Sequence, residues 1–234
     1  MQKSPLIVAN WKMKGGPDDL LPYIKALEGY DAVLCPSMPL VGLAAGAMLG
    51  SSLRLGAQDC HAEAAGAFTG DTSATVLAAL GCEYVMVGHS ERRRDHHETD
   101  EQVWAKAAAA HTAGLKAIVC VGEKAGEDVE QVLARQLAGI AAFAGDSLIL
   151  AYEPVYAIGT GKVPTADDIQ ARHTYIKVLV EKLAPTLSIS ILYGGSVNPE
   201  NAAVIMKIPG VSGALVGTAS FPVTAFKGVL DAVR

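Results

Sequence analysis

Residues 116–121 read KAIVCV, residues 128–143 read DVEQVLARQLAGIAAF, and residues 147–152 read SLILAY. The two short runs are apolar throughout instead of alternating, which is the pattern of parallel strands packed on an inner face and covered on the outer one. The stretch between them is helix-like. Together they form one strand–helix–strand unit over residues 116–152.

Working outward in both directions, comparable runs recur at residues 6–9, 32–35, 53–57, 84–87, 189–193 and 213–216, which makes eight candidate strands. Helix-like stretches at 18–28, 72–80, 98–113 and 166–183 fall between them. Dividing 234 residues by eight leaves about 29 per unit, which points to an α/β chain closed into a (β/α)8 barrel. An open, doubly wound sheet is the rival. That architecture usually carries a Gly-rich dinucleotide turn after its first strand, whereas this chain has Asn10-Trp11-Lys12-Met13-Lys14-Gly15-Gly16. No linker or low-complexity tract breaks the alternation, so residues 1–234 are expected to form one barrel domain.

Composition narrows the function classes. Half the residues are hydrophobic and 18% are charged, which excludes a disordered chain. Nineteen Lys and Arg against 24 Asp and Glu leave a net charge of −5, which disfavours nucleic acid and anionic membrane as partners. No apolar run reaches the ~18 residues of a membrane span, and the first five residues lead into a strand without a signal-peptide core. A cytoplasmic location is expected. Cys35, Cys60, Cys82 and Cys120 form no CxxC pair and read as reduced thiols.

In a parallel barrel, reactive groups gather at the carboxyl ends of the strands. Those ends hold Asn10 and Lys12, Gly88-His89-Ser90-Glu91, Glu153-Pro154, Gly194-Gly195-Ser196 and Gly217-Thr218. Any one of these charged residues alone reads as a helix cap, a surface charge or a satisfied core histidine. A cation, an imidazole and a carboxylate on one rim read differently, because chance would scatter them over both ends. The turns after strands seven and eight look like a strand, a tight turn and a helix start, which aim backbone N–H groups at an anion. Gly159-Thr160-Gly161-Lys162 is not a nucleotide loop, since Val163 and Tyr156 break the Walker pattern and Pro164 breaks GxGxxG. The adjacent His96 and His97 do not match a metal-ligand spacing.

Four segments, Ala9-Asn10-Trp11-Lys12-Met13, Gly88-His89-Ser90-Glu91-Arg92-Arg93, the run from Ala151 to Gly161, and Tyr193-Gly194-Gly195-Ser196-Val197, closely resemble the motifs of the triosephosphate isomerase family, in that family's order. The resemblance implies the interconversion of dihydroxyacetone phosphate and glyceraldehyde 3-phosphate through an enediolate, in glycolysis and gluconeogenesis, with no cofactor and no metal. Glu153 is then the base, His89 the electrophile at the carbonyl, Lys12 the cation facing substrate and Asn10 its polar neighbour. Ser90, Glu91 and Cys120 become supporting residues. The phosphate rests on the N–H groups of Gly159, Ser196, Gly217 and Thr218. Glu paired with a neutral His is the known arrangement of this family, and a short helix opening at Ser90-Glu91 would disfavour imidazolium at His89.

The same resemblance makes residues 154–162 a lid that shields the enediolate from water, with Ile158 and Leu215 pressing on the base. It sends the long 58–71 loop into a second subunit, Thr69 reaching the partner's Asn10-Lys12 region, with Asp71 of the loop and Arg92 as a candidate ion pair. A homodimer follows. Three positions depart from the family pattern: Tyr156 stands for Trp, Asp71 for Glu, and Thr218 for Gly. A β-branched Thr218 would cost about 1–3 kcal/mol, or move the anion, if its site needed positive φ or close backbone approach to the phosphate. Two other readings stand beside this one: a metal-dependent sugar-phosphate epimerase, which would lose activity to a chelator, and a non-catalytic binding barrel.

Overall fold

The structure is a computed structural model that describes residues 4–145, 148–158 and 164–234. In chain order the elements are β1 (Leu6–Asn10), α1 (Pro17–Ala26), β2 (Val33–Cys35), α2 (Val41–Ala47), β3 (Arg54–Ala57), α3 (Ala74–Ala79), β4 (Tyr84–Val87), α4 (Ser90–Asp95), α5 (Asp100–Thr112), β5 (Lys116–Val121), α6 (Val129–Gln136), β6 (Leu148–Tyr152), α7 (Ala166–Leu183), β7 (Ser190–Tyr193), α8 (Ala202–Ile205), β8 (Gly213–Val216) and α9 (Val223–Ala232). The strands pair in parallel from β1 round to β8, and β1 closes on β8 through Leu6 opposite Gly213. The barrel expected from the spacing is the barrel observed.

Two apolar layers explain why the strands are apolar throughout. Val8, Val33, Met86, Ile118, Cys120, Ile149, Ala151, Leu192 and Leu215 fill the barrel. Their chain neighbours, among them Ile7, Ala9, Val85, Val119, Leu150 and Val216, pack outward against the helices. Each strand therefore has no wet face, and period-2 polarity disappears.

Helix boundaries differ more from expectation. The stretch 128–143 is not one helix: α6 stops at Gln136 and a 3₁₀ turn covers Ala138–Ala142. Trp104 of α5 is the cause. Its indole N–H donates to the Gln136 carbonyl at 2.8 Å, and Gly139 lies flat against the ring, where any Cβ would fall on the indole. Helix α2 lies outside the expected stretches, and α8 and α9 begin several residues beyond the turns after β7 and β8; the short helix expected at Ser90 is α4, six residues long with no buried side chain. No helix among the described residues is long and apolar enough to cross a membrane. All four cysteines are free and buried.

Candidate active site

The parity that fills the barrel also delivers the chemistry to its mouth. On β1 the inward positions run Leu6, Val8, Asn10, and Lys12 lies two residues further, in the turn. On β6 they run Ile149 and Ala151, and Glu153 follows. Each strand thus ends by pointing a polar side chain along the line its apolar ones have already set.

Lys12 adopts a left-handed backbone, φ 54°, a conformation that costs a residue with a Cβ about 1–2 kcal/mol. Neighbours hold it there. Its N–H donates to Asn10 Oδ1 at 2.9 Å, and Gln58 Nε2 donates to its carbonyl at 2.8 Å and to that of Cys35 at 3.0 Å. Ser220, fully buried, donates to the Asn10 carbonyl at 2.6 Å. The Lys12 ammonium meets Glu91 Oε1 at 2.6 Å. Partial burial pushes the Glu91 carboxyl up, but the Lys12 hydrogen bond and the nearby His89 and Arg94 outweigh it and hold the group below its ordinary value.

His89 caps α4, and its Nδ1 accepts the Glu91 N–H at 3.2 Å. An acceptor at Nδ1 places the ring proton on Nε2 by the logic of the hydrogen-bond network. Nε2 in turn lies 3.2 Å from Glu153 Oε1. The approach lacks hydrogen-bond alignment, and Oε1 has no hydrogen-bond partner. The other oxygen, Oε2, accepts the Ser90 N–H at 3.0 Å. Glu153 is only 2% exposed. Burial drives the Cys120 thiol well above its ordinary value, and the Glu153 charge adds to the effect. Cys120 is therefore inert packing behind the carboxylate.

A cavity of about 420 Å³ opens over these groups, with Asn10, Lys12, His89, Glu153, Ile158, Ser196, Leu215, Gly217 and Thr218 in its wall. Every substrate-facing residue expected from the sequence lies there except Gly159, which is outside the described residues. Gly217 allows this closeness, because a Cβ would come within 2.9 Å of Lys12 Cε. Ser196 Oγ donates to the Ala157 carbonyl at 2.7 Å, tying the turn after β7 to the chain beyond β6. Thr69, Asp71 and Arg92 lie elsewhere. Among the described residues, no three His, Cys, Asp or Glu side chains converge as a set that could hold a metal ion.

The triosephosphate isomerase family model matches residues 5–233. The chain belongs to the triosephosphate isomerase family. It is 45% identical to the triosephosphate isomerase of Afipia carboxidovorans, with 97% of each chain covered, and 44% identical to that of Chelativorans sp., covering 98% of this chain and 97% of the other. Among solved structures, the crystal structure of triosephosphate isomerase from Bartonella henselae superposes with a TM-score of 0.88 at 36% identity, covering 98% and 99% of the two chains.

The positions that depart from the family pattern can now be placed. Among the described residues other than glycine, only Lys12 and His97 have positive φ. Thr218 begins a 3₁₀ turn at Thr218–Ser220, so the strain of a positive φ does not arise at its β-branch. Asp71 lies 3.7 Å from His61 Nε2, and within this chain Arg92 pairs instead with Asp59 and Glu98. Tyr156 sits in the 3₁₀ turn Val155–Ala157, 39% exposed. Sequence reasoning missed Gln58 and Ser220. Gln58 follows the carboxyl end of β3 directly and was legible by the same rim rule; Ser220 is reached only through the turn after β8 and left no such signal.

Proposed function

We propose that this mouth binds a triose phosphate and that Glu153, His89 and Lys12 move its protons and stabilise the charge that develops. Family membership makes the reaction the aldose–ketose isomerisation of dihydroxyacetone phosphate and glyceraldehyde 3-phosphate, a step of glycolysis and gluconeogenesis. Glu153 takes a proton from the carbon beside the carbonyl, the electron pair moves to the oxygen, and an enediolate forms. His89 Nε2–H stabilises that oxygen, and Lys12 supplies a positive charge to a doubly charged substrate. Passing the hydroxyl proton from one enediolate oxygen to the other, beside His89, and returning the carbon proton from Glu153 to the neighbouring carbon completes the exchange.

The observation that carries this reading is at Glu153. One carboxylate oxygen is anchored on the Ser90 N–H, while the other is buried, unpartnered and 3.2 Å from an imidazole N–H. A buried acceptor without a donor is costly unless a ligand completes it. The N–H groups of Ser196, Gly217 and Thr218, with Gly159, are the candidate phosphate cradle, and the segment 154–162 is the candidate lid.

The 58–71 loop supports a homodimer as part of this reading. Residues 63–71 are exposed, Phe68 is 42% exposed, and Met13 beside the mouth is 97% exposed. Apolar side chains left in water mark an interface. Sedimentation at micromolar concentration is expected to give twice the chain mass, and a monomer would refute the dimer. A cytoplasmic location goes with a glycolytic enzyme and is checked by cell fractionation. The function itself is tested by a coupled assay in both directions, with and without a strong chelator. Full activity in both is expected; chelator-sensitive activity on other sugar phosphates would instead favour an epimerase.

A further inference from the structure

The main-chain ladder between β4 and β5 stops at Val87 opposite Val119, although β5 goes on pairing with β6 as far as Val121 and Tyr152. Past that point Gly88 turns left-handed, φ 68°, and leads the chain away into His89. The carbonyls of Gly88 and Cys120 face the gap that opens. The Arg93 guanidinium occupies it: Nε donates to the Gly88 carbonyl at 2.8 Å, and one terminal nitrogen donates to the Cys120 carbonyl at 3.3 Å. The other terminal nitrogen pairs with Asp100, which Arg135 also holds at 3.0 Å. A planar fork with fixed donor directions bridges two separated acceptors in a way that an ammonium does not.

Both halves of the reacting pair depend on this seam. His89 follows Gly88 directly, and the Glu153 N–H donates to the Val121 carbonyl, one residue past Cys120, at 2.7 Å. The 3.2 Å approach of His89 to Glu153 and the Ser90-to-Glu153 hydrogen bond both cross it. We propose that Arg93 is a positioning residue, whose guanidinium clamps the ends of β4 and β5 at the separation that sets His89 against Glu153. The inference rests on the roles assigned to those two side chains above. Arg93 lies outside the substrate cavity, in the wall of a second one of about 690 Å³ that it shares with Asp100, Cys120 and Glu153. That space leaves room for a small cation when the side chain is cut back.

Arg93→Ala, Arg93→Lys and Glu153→Asp are compared by kcat, KM and melting temperature, with and without millimolar guanidinium. Misplacing a catalytic pair by a fraction of an ångström lowers kcat by roughly 30-fold for Arg93→Ala and leaves KM within about threefold. Guanidinium restores much of that kcat without raising the melting temperature, and methylammonium does not. Arg93→Lys keeps a charge for Asp100 but reaches only one carbonyl, and falls between the two. A kcat for Arg93→Ala within about threefold of wild type, or a loss that guanidinium leaves unchanged, overturns the proposal. If Arg93→Ala does not fold, Arg93→Lys decides: lowered kcat at constant KM supports the clamp, and wild-type kcat overturns it. A crippled Glu153→Asp beside unaffected Arg93 variants would sink the clamp alone, whereas an unaffected Glu153→Asp would sink the site assignment beneath it.

Discussion

Lys12 shows at the level of one residue how strain and function are joined. Its left-handed backbone is a cost, and Asn10, Gln58 and Glu91 each supply a contact that offsets it. The result is an ammonium aimed at the mouth with its salt-bridge partner at 2.6 Å. Replacing Lys12 with Met removes the charge while keeping the bulk. Loss of a charge-assisted contact to a phosphate in a site shielded from water is expected to raise KM by roughly a hundredfold, read from initial rates over a wide substrate range. An unchanged KM would remove Lys12 from substrate binding. The motif around Lys12 was legible as sequence, because the same parity that fills the barrel projects it past the strand. Its backbone geometry was not, since the contacts that hold positive φ at this lysine include Gln58 and Glu91, which are distant in the chain.

Strands and helices were legible to different degrees for physical reasons. A parallel strand buried on both faces is a continuous apolar run, and all eight runs became strands within a residue or two of the expected ends. Helix ends depend on tertiary partners that no local pattern records: the indole of Trp104 takes the carbonyl at the end of α6, and Gly139 then closes against it. Glycine at Gly122 is a second case of close approach. A Cβ there would fall on the Glu153 carbonyl oxygen, and the Gln136 side chain grips both polar groups of the Gly122 backbone, at 2.8 and 3.2 Å. Gly122→Ala must therefore push β6 away from β5 at the base's own position. It is expected to destabilise the fold by about 3 kcal/mol, and to lower kcat more than it raises KM. A thermal melt and a rate measurement check the two effects, and a wild-type melting temperature would contradict the packing.

Over the whole molecule, the same burial that makes the barrel stable also makes it acid-sensitive. His173 on α7 is fully buried, with Nδ1 3.1 Å from the Gly210 carbonyl, to which it donates, and its ring edge-on to Tyr152. Nε2 has no partner. Burial pushes the imidazole down from 6.5 to about 4. The unfolded chain therefore takes up a proton below pH 6.5, while the folded chain resists it until about pH 4. Stability is unaffected above that window and falls as pH drops through it, by roughly 3 kcal/mol in all. Urea midpoints measured across the window are expected to decline in wild type and to decline less in His173→Gln; parallel slopes would refute the role of this side chain.

The fold brings residues from β1, β4 and β6 over one mouth, and the account stands on Glu153 acting from its place among them. The most direct test is a coupled isomerase assay of wild type against Glu153→Asp, which keeps the charge and withdraws the carboxylate by one methylene. The account predicts a kcat lower by roughly a hundredfold or more with KM changed only a few-fold. A kcat close to that of wild type would contradict it.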